Sequence, residues 1–273
     1  MALHGKLGFI GGGRMGEALI QGLLKSAIIT AADILVTDPV ADRREYLAET
    51  YGVNTFDSSG DEHIWSGCAT VILAVKPQII KDILQEARTK VNESHLLISI
   101  AAGIQSSLID ANLPGCNCRI IRVMPNTPAF VLEAASALCH GPRSTQKDMD
   151  TALAIFNSIG KSVILDEKYF DAVTGLSGSG PAYVFTFIEA LIDAGLKVGL
   201  NRSDAVLLVM QTVLGSVKLA MNSNEHPAQL RAMVTSPGGT TIAGLHELEA
   251  AGFSGIIMDA VEAATERSRE LGK

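Results

Sequence analysis

The residues best placed to do chemistry fall in two runs rich in glycine and hydroxyls. The first is Gly175-Leu176-Ser177-Gly178-Ser179-Gly180-Pro181-Ala182-Tyr183; the second is Thr235-Ser236-Pro237-Gly238-Gly239-Thr240-Thr241. Each leads into a helical pattern, and Pro181 suits a first helical position, where its missing N–H costs nothing. Amides at a helix start lack intrahelical partners and favour an anion. Ser177, Gly178 and Ser179 on one run, and Thr240 and Thr241 on the other, are therefore candidate walls for a small anionic substrate. One such run is explained by the N-cap preference of Ser and Thr. Two in the same half argue for a shared role.

A third glycine run lies near the N-terminus. Gly11-Gly12-Gly13-Arg14-Met15-Gly16 matches G-x-G-x-x-G, follows the apolar run Leu7-Gly8-Phe9-Ile10, and precedes a helical pattern from Glu17 to Lys25. Strand, turn and helix in that order are the context a dinucleotide fingerprint needs. Gly11 permits the turn, Gly13 admits a pyrophosphate, and Gly16 lets the helix pack on the strand. The implied cofactor is NADPH or NADH. Asp38 ends the next strand, Ile34 to Thr37, where an acidic residue bonds a ribose 2′-hydroxyl and repels a 2′-phosphate. Arg43 and Arg44 follow and can instead meet that phosphate, so the sequence leans to NADH and leaves NADPH open.

The elements that hold these residues can be read from periodicity. Thr70 to Val75 is a continuous apolar run, as in a strand buried on both faces, and it ends at Ala74-Val75-Lys76-Pro77. Leu96 to Ile100 is followed by Ala101-Ala102-Gly103, small enough to admit a flat ring. Arg119 to Met124 leads to Pro125-Asn126-Thr127-Pro128, where the Asn126 amide is available to a nicotinamide carboxamide or simply shapes the turn. Ala134 to His140 and Ser162 to Leu165 read as strands around a helix from Thr145 to Ile159. The alternation predicts an α/β fold, with a doubly wound, mostly parallel Rossmann domain over residues 1–165. From Asp166 only helical patterns remain, which predicts an all-α domain over residues 166–273. Its helix from Pro181 to Val198 is apolar on most faces, which predicts deep burial, in a small helical half often against a second subunit.

Composition narrows the classes. Of 273 residues, 47% are hydrophobic and 19% charged, a globular rather than a disordered balance. The net charge of -7 and a longest basic cluster of Arg43-Arg44 argue against nucleic acid. Glu189, Asp193 and Lys197 interrupt the apolar stretch from Tyr183 to Leu200, so no membrane span is expected. Nothing at the N-terminus reads as a signal peptide. Cys68, Cys116, Cys118 and Cys139 have neither zinc nor C-x-x-C spacing, which points to no metal site and a reducing, cytoplasmic setting. His226 and His246 near the hydroxyl runs are read as structural.

Five segments together resemble the Δ1-pyrroline-5-carboxylate reductase family over nearly the whole length. They are Gly8 to Met15, Ala74 to Pro77, Val123 to Pro128, Asp171 to Tyr183 and Ser236 to Ile242. The resemblance implies reduction of 1-pyrroline-5-carboxylate to proline and a helical dimerisation domain, with homodimers assembling into a larger homo-oligomer. It puts the pyrophosphate on Gly11, Gly12, Gly13, Arg14 and Met15. It puts the ribose and nicotinamide among Ala74, Val75, Lys76, Pro77, Ala101, Ala102, Gly103 and Asn126. Substrate is expected between Ser177-Gly178-Ser179 and Thr240-Thr241, with the Thr241 hydroxyl, the catalytic candidate, on the ring nitrogen. The chain departs from the family pattern at Asp57-Ser58-Ser59-Gly60-Asp61 and at Asn224-Glu225-His226. A 3-hydroxyacid dehydrogenase is the rival enzyme. It shares the first glycine motif and a G-x-x-G-x-G, but has a lysine where this chain has Val184, and Val184 cannot accept a proton. A non-catalytic NAD(P)-binding protein has no need of both hydroxyl runs.

Overall fold

The computed structural model describes residue 3 and residues 5–272. The expected sheet is present. β1 (Leu7–Ile10) is followed by α1 (Arg14–Lys25), β2 (Ile34–Thr37), α2 (Ala41–Tyr51), β3 (Asn54–Phe56) and α3 (Glu62–Gly67). Then come β4 (Thr70–Leu73), α4 (Ile80–Ala87), β5 (Leu96–Ser99), α5 (Ser106–Ala111) and β6 (Arg119–Met124), with β7 (Ala134–His140), α6 (Gln146–Phe156) and β8 (Gly160–Ile164) closing the sheet. The order is β3-β2-β1-β4-β5-β6-β7-β8, and only β6 and β7 pair antiparallel. Leu7 pairs with Ile34 on one side and Thr70 on the other. The direction of winding therefore reverses between β1 and β4. In such sheets the crevice for a ligand opens at the carboxyl ends of the strands beside that reversal.

The apolar strand runs are explained by cover on both faces. Alternate residues point to opposite sides. Phe9, Val36, Ile72 and Ile98 pack with Leu19 and Leu23 of α1 and Ile155 and Phe156 of α6. Ile10, Leu35, Leu73 and Leu97 pack with Ile64, Leu84 and Ile109 of α3, α4 and α5. β3 was not legible in the sequence, because it is three residues long and only half buried. β4 stops at Leu73, short of the expected Val75, as Lys76 caps a 3₁₀ turn that begins at Pro77.

By compactness the chain forms two units: residues 1–179 with 264–273, and residues 180–263. The last strand ends at Ile164, beside the expected limit at Leu165. The segment after it nevertheless stays with the sheet. α7 (Phe170–Val173) buries Phe170 against Ala137 and Cys139. Glu167, just before it, accepts from the Ser106 amide and hydroxyl at 2.7 and 2.6 Å and from Arg122 at 3.0 Å.

The second unit is helical. α8 (Gly180–Lys197), α9 (Arg202–Asn222), α10 (Pro227–Met233) and α11 (Thr240–Ala250) precede α12 (Phe253–Leu271), whose residues from Ala264 onward belong to the first unit. Asn201 caps α9 by accepting from the Asp204 amide. The expected deep burial of α8 is not met within one chain: none of its residues is buried, and Phe185 is 65% exposed. Along α9, Leu207, Met210, Leu214, Val217 and Met221 are also exposed. By length and composition alone α9 is long and apolar enough to cross a membrane, although it carries Arg202, Asp204 and Lys218. Apolar patches of this extent on a monomer mark a surface that another body covers.

Candidate active site

The glycine turn is built as its sequence requires. Gly11 has φ +101°, and a Cβ there would lie 2.5 Å from the Ala74 carbonyl oxygen. A Cβ on Gly16 would lie 2.7 Å from the Gly11 carbonyl oxygen. These two glycines therefore let β1, β4 and α1 approach each other. Gly13 differs: nothing lies within 4 Å of the Cβ position. It caps α1 without a side-chain hydrogen bond, so the first amides of the helix are left for an anion. The open cradle and uncapped amides fit a dinucleotide pyrophosphate, with Arg14 exposed beside them.

A cavity of about 290 Å³ opens at the ends of β1 and β2 and is lined by Gly11, Asp38, Pro39, Ser58, Ser59 and Val75, among others. Asp38 is rigidly held there. One carboxylate oxygen accepts from the Gly12 amide at 3.0 Å and the other from the Val40 amide at 2.9 Å. The Ser58 and Ser59 hydroxyls both donate to Glu86, as does the Gly60 amide. Hydrogen bonds from Ser59 and Ser58 hold the Glu86 carboxyl below its usual range.

A second cavity, of about 460 Å³, brings together residues from expected cofactor and substrate groups. Pro77, Ala102, Gly103, Thr174 and Ser179 line it, together with Arg267 and Ser268 of α12. Ala101 is buried beneath, and Lys76 is exposed and does not line it. Thr174, Arg267 and Ser268 were not singled out in the sequence. Arg267 and Ser268 lie at the charged end of a C-terminal helix, where nothing local separates them from an ordinary solvated face.

The run from Thr174 to Gly178 corrects one expectation. It is not a loop feeding a new helix but a π-helical turn continuing α7, and the Ser179 amide donates to the Thr174 carbonyl at 2.8 Å. α8 then begins at Gly180, so Pro181 stands second in its first turn, one residue from the expected first position. A π turn widens the backbone by one residue and recurs at functional sites. Here it lets Gly178 approach β6: a Cβ would lie 2.9 Å from the Met124 methyl. Ser177 donates back to the Val173 carbonyl at 3.1 Å.

Asn126 is engaged at both ends of its amide. It donates to the Ser177 carbonyl at 3.0 Å and accepts from the Ala135 amide at 2.9 Å. It lines neither cavity. Its amide bridges the turn after β6 to the hydroxyl run.

In the second unit, Thr240 and Thr241 form the first turn of α11 after Gly239, two residues earlier than the periodicity indicated. Thr241 is half buried and Thr240 exposed. His226 is structural, as expected: its ring accepts from the Ala228 amide at 3.2 Å and caps α10.

Comparison with known proteins agrees with this arrangement. The chain is 45% identical to pyrroline-5-carboxylate reductase of Pisum sativum, over 97% of this chain and 95% of the relative. The chain belongs to the pyrroline-5-carboxylate reductase family. The protein of that name from Methanosarcina acetivorans is likewise 45% identical, over 98% of both chains. A family profile described as pyrroline-5-carboxylate reductase dimerisation matches residues 167–271, and one described as NADP oxidoreductase, coenzyme F420-dependent, matches residues 6–103. Among solved structures, a pyrroline-5-carboxylate reductase from Coxiella burnetii superposes with a TM-score of 0.93 at 34% identity, covering 99% of this chain and 100% of that one. A Plasmodium falciparum pyrroline carboxylate reductase with NADP bound superposes with a TM-score of 0.88 at 37% identity, covering 100% of both chains. As in other members of the reductase family, the exposed helical unit is a dimerisation domain, which accounts for the apolar faces of α8 and α9.

Proposed function

We propose that the chain reduces the C=N bond of 1-pyrroline-5-carboxylate to give L-proline, the last step of proline biosynthesis, with NADPH or NADH as the reductant. The observation that carries this reading is the second cavity, where Pro77 after β4 and the small residues Ala102 and Gly103 after β5 meet Thr174 of the π turn and Ser179 just beyond it. When bound, the reduced nicotinamide supplies a hydride to the imine carbon.

The protein's own part is positioning. Gly11 to Met15 hold the pyrophosphate chiefly through the first amides of α1, which no side chain caps, since the Gly12 amide is already bonded to Asp38. Ala102 and Gly103 present little bulk to a flat ring. Ser177, Gly178 and Ser179, with Thr240, bind the substrate carboxylate. The Thr241 hydroxyl donates to the imine nitrogen and makes the carbon a better hydride acceptor, while solvent supplies the proton that completes the amine. Holding two rings face to face provides most of the acceleration, and no covalent step is needed. Val184 on α8 offers no base for alcohol oxidation. The reading extends to homodimers assembled into a larger ring and to a reducing, cytoplasmic setting. All four cysteines are free, three of them buried, and burial pushes the Cys139 thiol up to about 12.

The test is NAD(P)H oxidation by the purified protein with pyrroline-5-carboxylate. Acceleration is expected, and Thr241→Ala is expected to lower kcat by about 10²-fold with little change in coenzyme affinity. No acceleration, together with NAD(P)+ reduction by a 3-hydroxyacid, overturns the reading.

A further inference from the structure

The reading above admits two coenzymes; resting on it, we infer that the nucleotide site selects NADH over NADPH, through Asp38 directly and through the hold of Glu17 on Arg43. The two coenzymes differ at one place, a ribose hydroxyl in NADH and a phosphate of charge about −2 in NADPH. The hydroxyl can donate to a carboxylate; the ionised phosphate has no proton to donate and is repelled by one.

Asp38 cannot turn away from a phosphate. Its two oxygens accept from the Gly12 and Val40 amides, so rotating it strands two donors. The remaining lone pairs of the same oxygens are free for a hydroxyl. Asp57 and Glu86 also line this cavity, and among the described residues no lysine or arginine does. Glu86 is kept ionised by Ser59 and Ser58.

The arginines that follow β2 are committed elsewhere. The Nε of Arg43 donates to the Gly12 carbonyl at 2.5 Å, and its terminal nitrogen meets Glu17 at 2.5 Å. Its guanidinium lies over the Tyr46 ring, 5.0 Å from the centroid. Glu17 in turn accepts from Tyr46 and Tyr51 at 2.8 and 2.9 Å. Burial pushes the Glu17 carboxyl up, but the bonds from Arg43, Tyr46 and Tyr51 outweigh it and hold the group below its usual range. Arg44 donates to the Asp38 carbonyl at 2.8 Å. Each guanidinium is tied to the main chain, and Arg43 is neutralised by a carboxylate that stays ionised at neutral pH. A relative with NADP bound does not decide the matter, because preference is a ratio of two affinities.

Titration calorimetry of the full chain with NADH and with NADPH, without substrate, tests this directly. NADH is expected to bind at least about tenfold more tightly, a difference of about 1.4 kcal/mol. Asp38→Asn, which keeps an acceptor for one amide, is expected to move the ratio toward NADPH, and Glu17→Gln to do the same by releasing Arg43. Equal or tighter binding of NADPH by the unaltered protein overturns the inference. So does an Asp38→Asn variant that weakens both coenzymes equally, the outcome of a purely structural role. Should Asp38→Asn not fold, the unaltered ratio and Glu17→Gln decide. Selective NADH binding by a protein that does not reduce pyrroline-5-carboxylate leaves this inference standing and removes the proposed function.

Discussion

The side-chain amide of Asn126 donates to the carbonyl of Ser177 at 3.0 Å, tying the turn after β6 to the π turn from Thr174 to Gly178. Asn126 is 9% exposed and its oxygen is occupied by the Ala135 amide, so its orientation is fixed from both ends. The residue four along from Ser177 is Pro181, which has no N–H to donate, and Asn126 supplies a donor to the Ser177 carbonyl. Asn126→Asp keeps the acceptor for Ala135 and removes the donor to Ser177. The expected result is a several-fold rise in KM for the imine with little change in the Kd of the coenzyme, measured by steady-state kinetics and by coenzyme titration. A uniform loss of both, tracking a lower Tm, assigns Asn126 to folding alone.

The two glycines of the fingerprint separate folding from binding. Gly11→Ala places a methyl group in a left-handed backbone, 2.5 Å from the Ala74 carbonyl. That forces β1 and β4 apart, and a Tm lowered by several degrees is expected even without ligand. Gly13→Ala meets open space at an ordinary φ of −64°. Its thermal unfolding without ligand is expected to be unchanged, while NADH affinity falls at least about tenfold because the methyl group occupies the pyrophosphate cradle. Equal affinity in Gly13→Ala and the unaltered protein removes the cradle from that position.

Much of this was legible and the rest has physical reasons. Buried strands announce themselves because both faces are covered, so Leu7–Ile10, Ile34–Thr37 and Arg119–Met124 fall where the apolar runs put them. β3 escaped because three half-exposed residues leave no period to read. The π turn escaped for another reason: the sequence Thr174 to Gly178 fits a loop or a helix start equally well, and close approach to Met124 decides. Residue type identified Asn126 as a useful amide but not its partner, which lies far along the chain. Asp38 has a second part beyond the ribose contact expected of it: its carboxylate also clamps the Val40 amide while lining the cavity at the ends of β1 and β2.

The Arg122–Glu167 pair gives the fold an acid limit. Burial pushes the Glu167 carboxyl up, but hydrogen bonds from Ser106 and Arg122 outweigh it, so the group titrates below its usual range. An unfolded glutamate titrates near about 4.3. The contribution of Glu167 is therefore complete above that value and is lost as pH falls through the lower folded value. Arg122 is nearly buried, with its guanidinium 4.8 Å from the Phe170 ring centroid. Glu167→Gln is expected to cost about 1–3 kcal/mol at neutral pH, with the Tm curves of variant and unaltered protein converging in acid. Parallel curves from pH 7 down to acid remove Glu167 as the source.

The dimerisation domain has a testable seam. Leu207, Met210, Leu214, Val217 and Met221 recur along α9 at spacings of three and four, which places them on one face. All are exposed in the single chain, Leu214 by 48%, so replacing Leu214 breaks no internal packing of comparable extent. In a dimer that covers this face, a glutamate there must be desolvated without a partner, at a cost of several kcal/mol. Leu214→Glu is expected to sediment as a monomer at concentrations where the unaltered protein is a dimer or larger, with its helical circular dichroism retained. A variant that still dimerises with unchanged affinity places the seam on another face, and the exposed Val184, Phe185 and Phe187 of α8 become the next surface to alter.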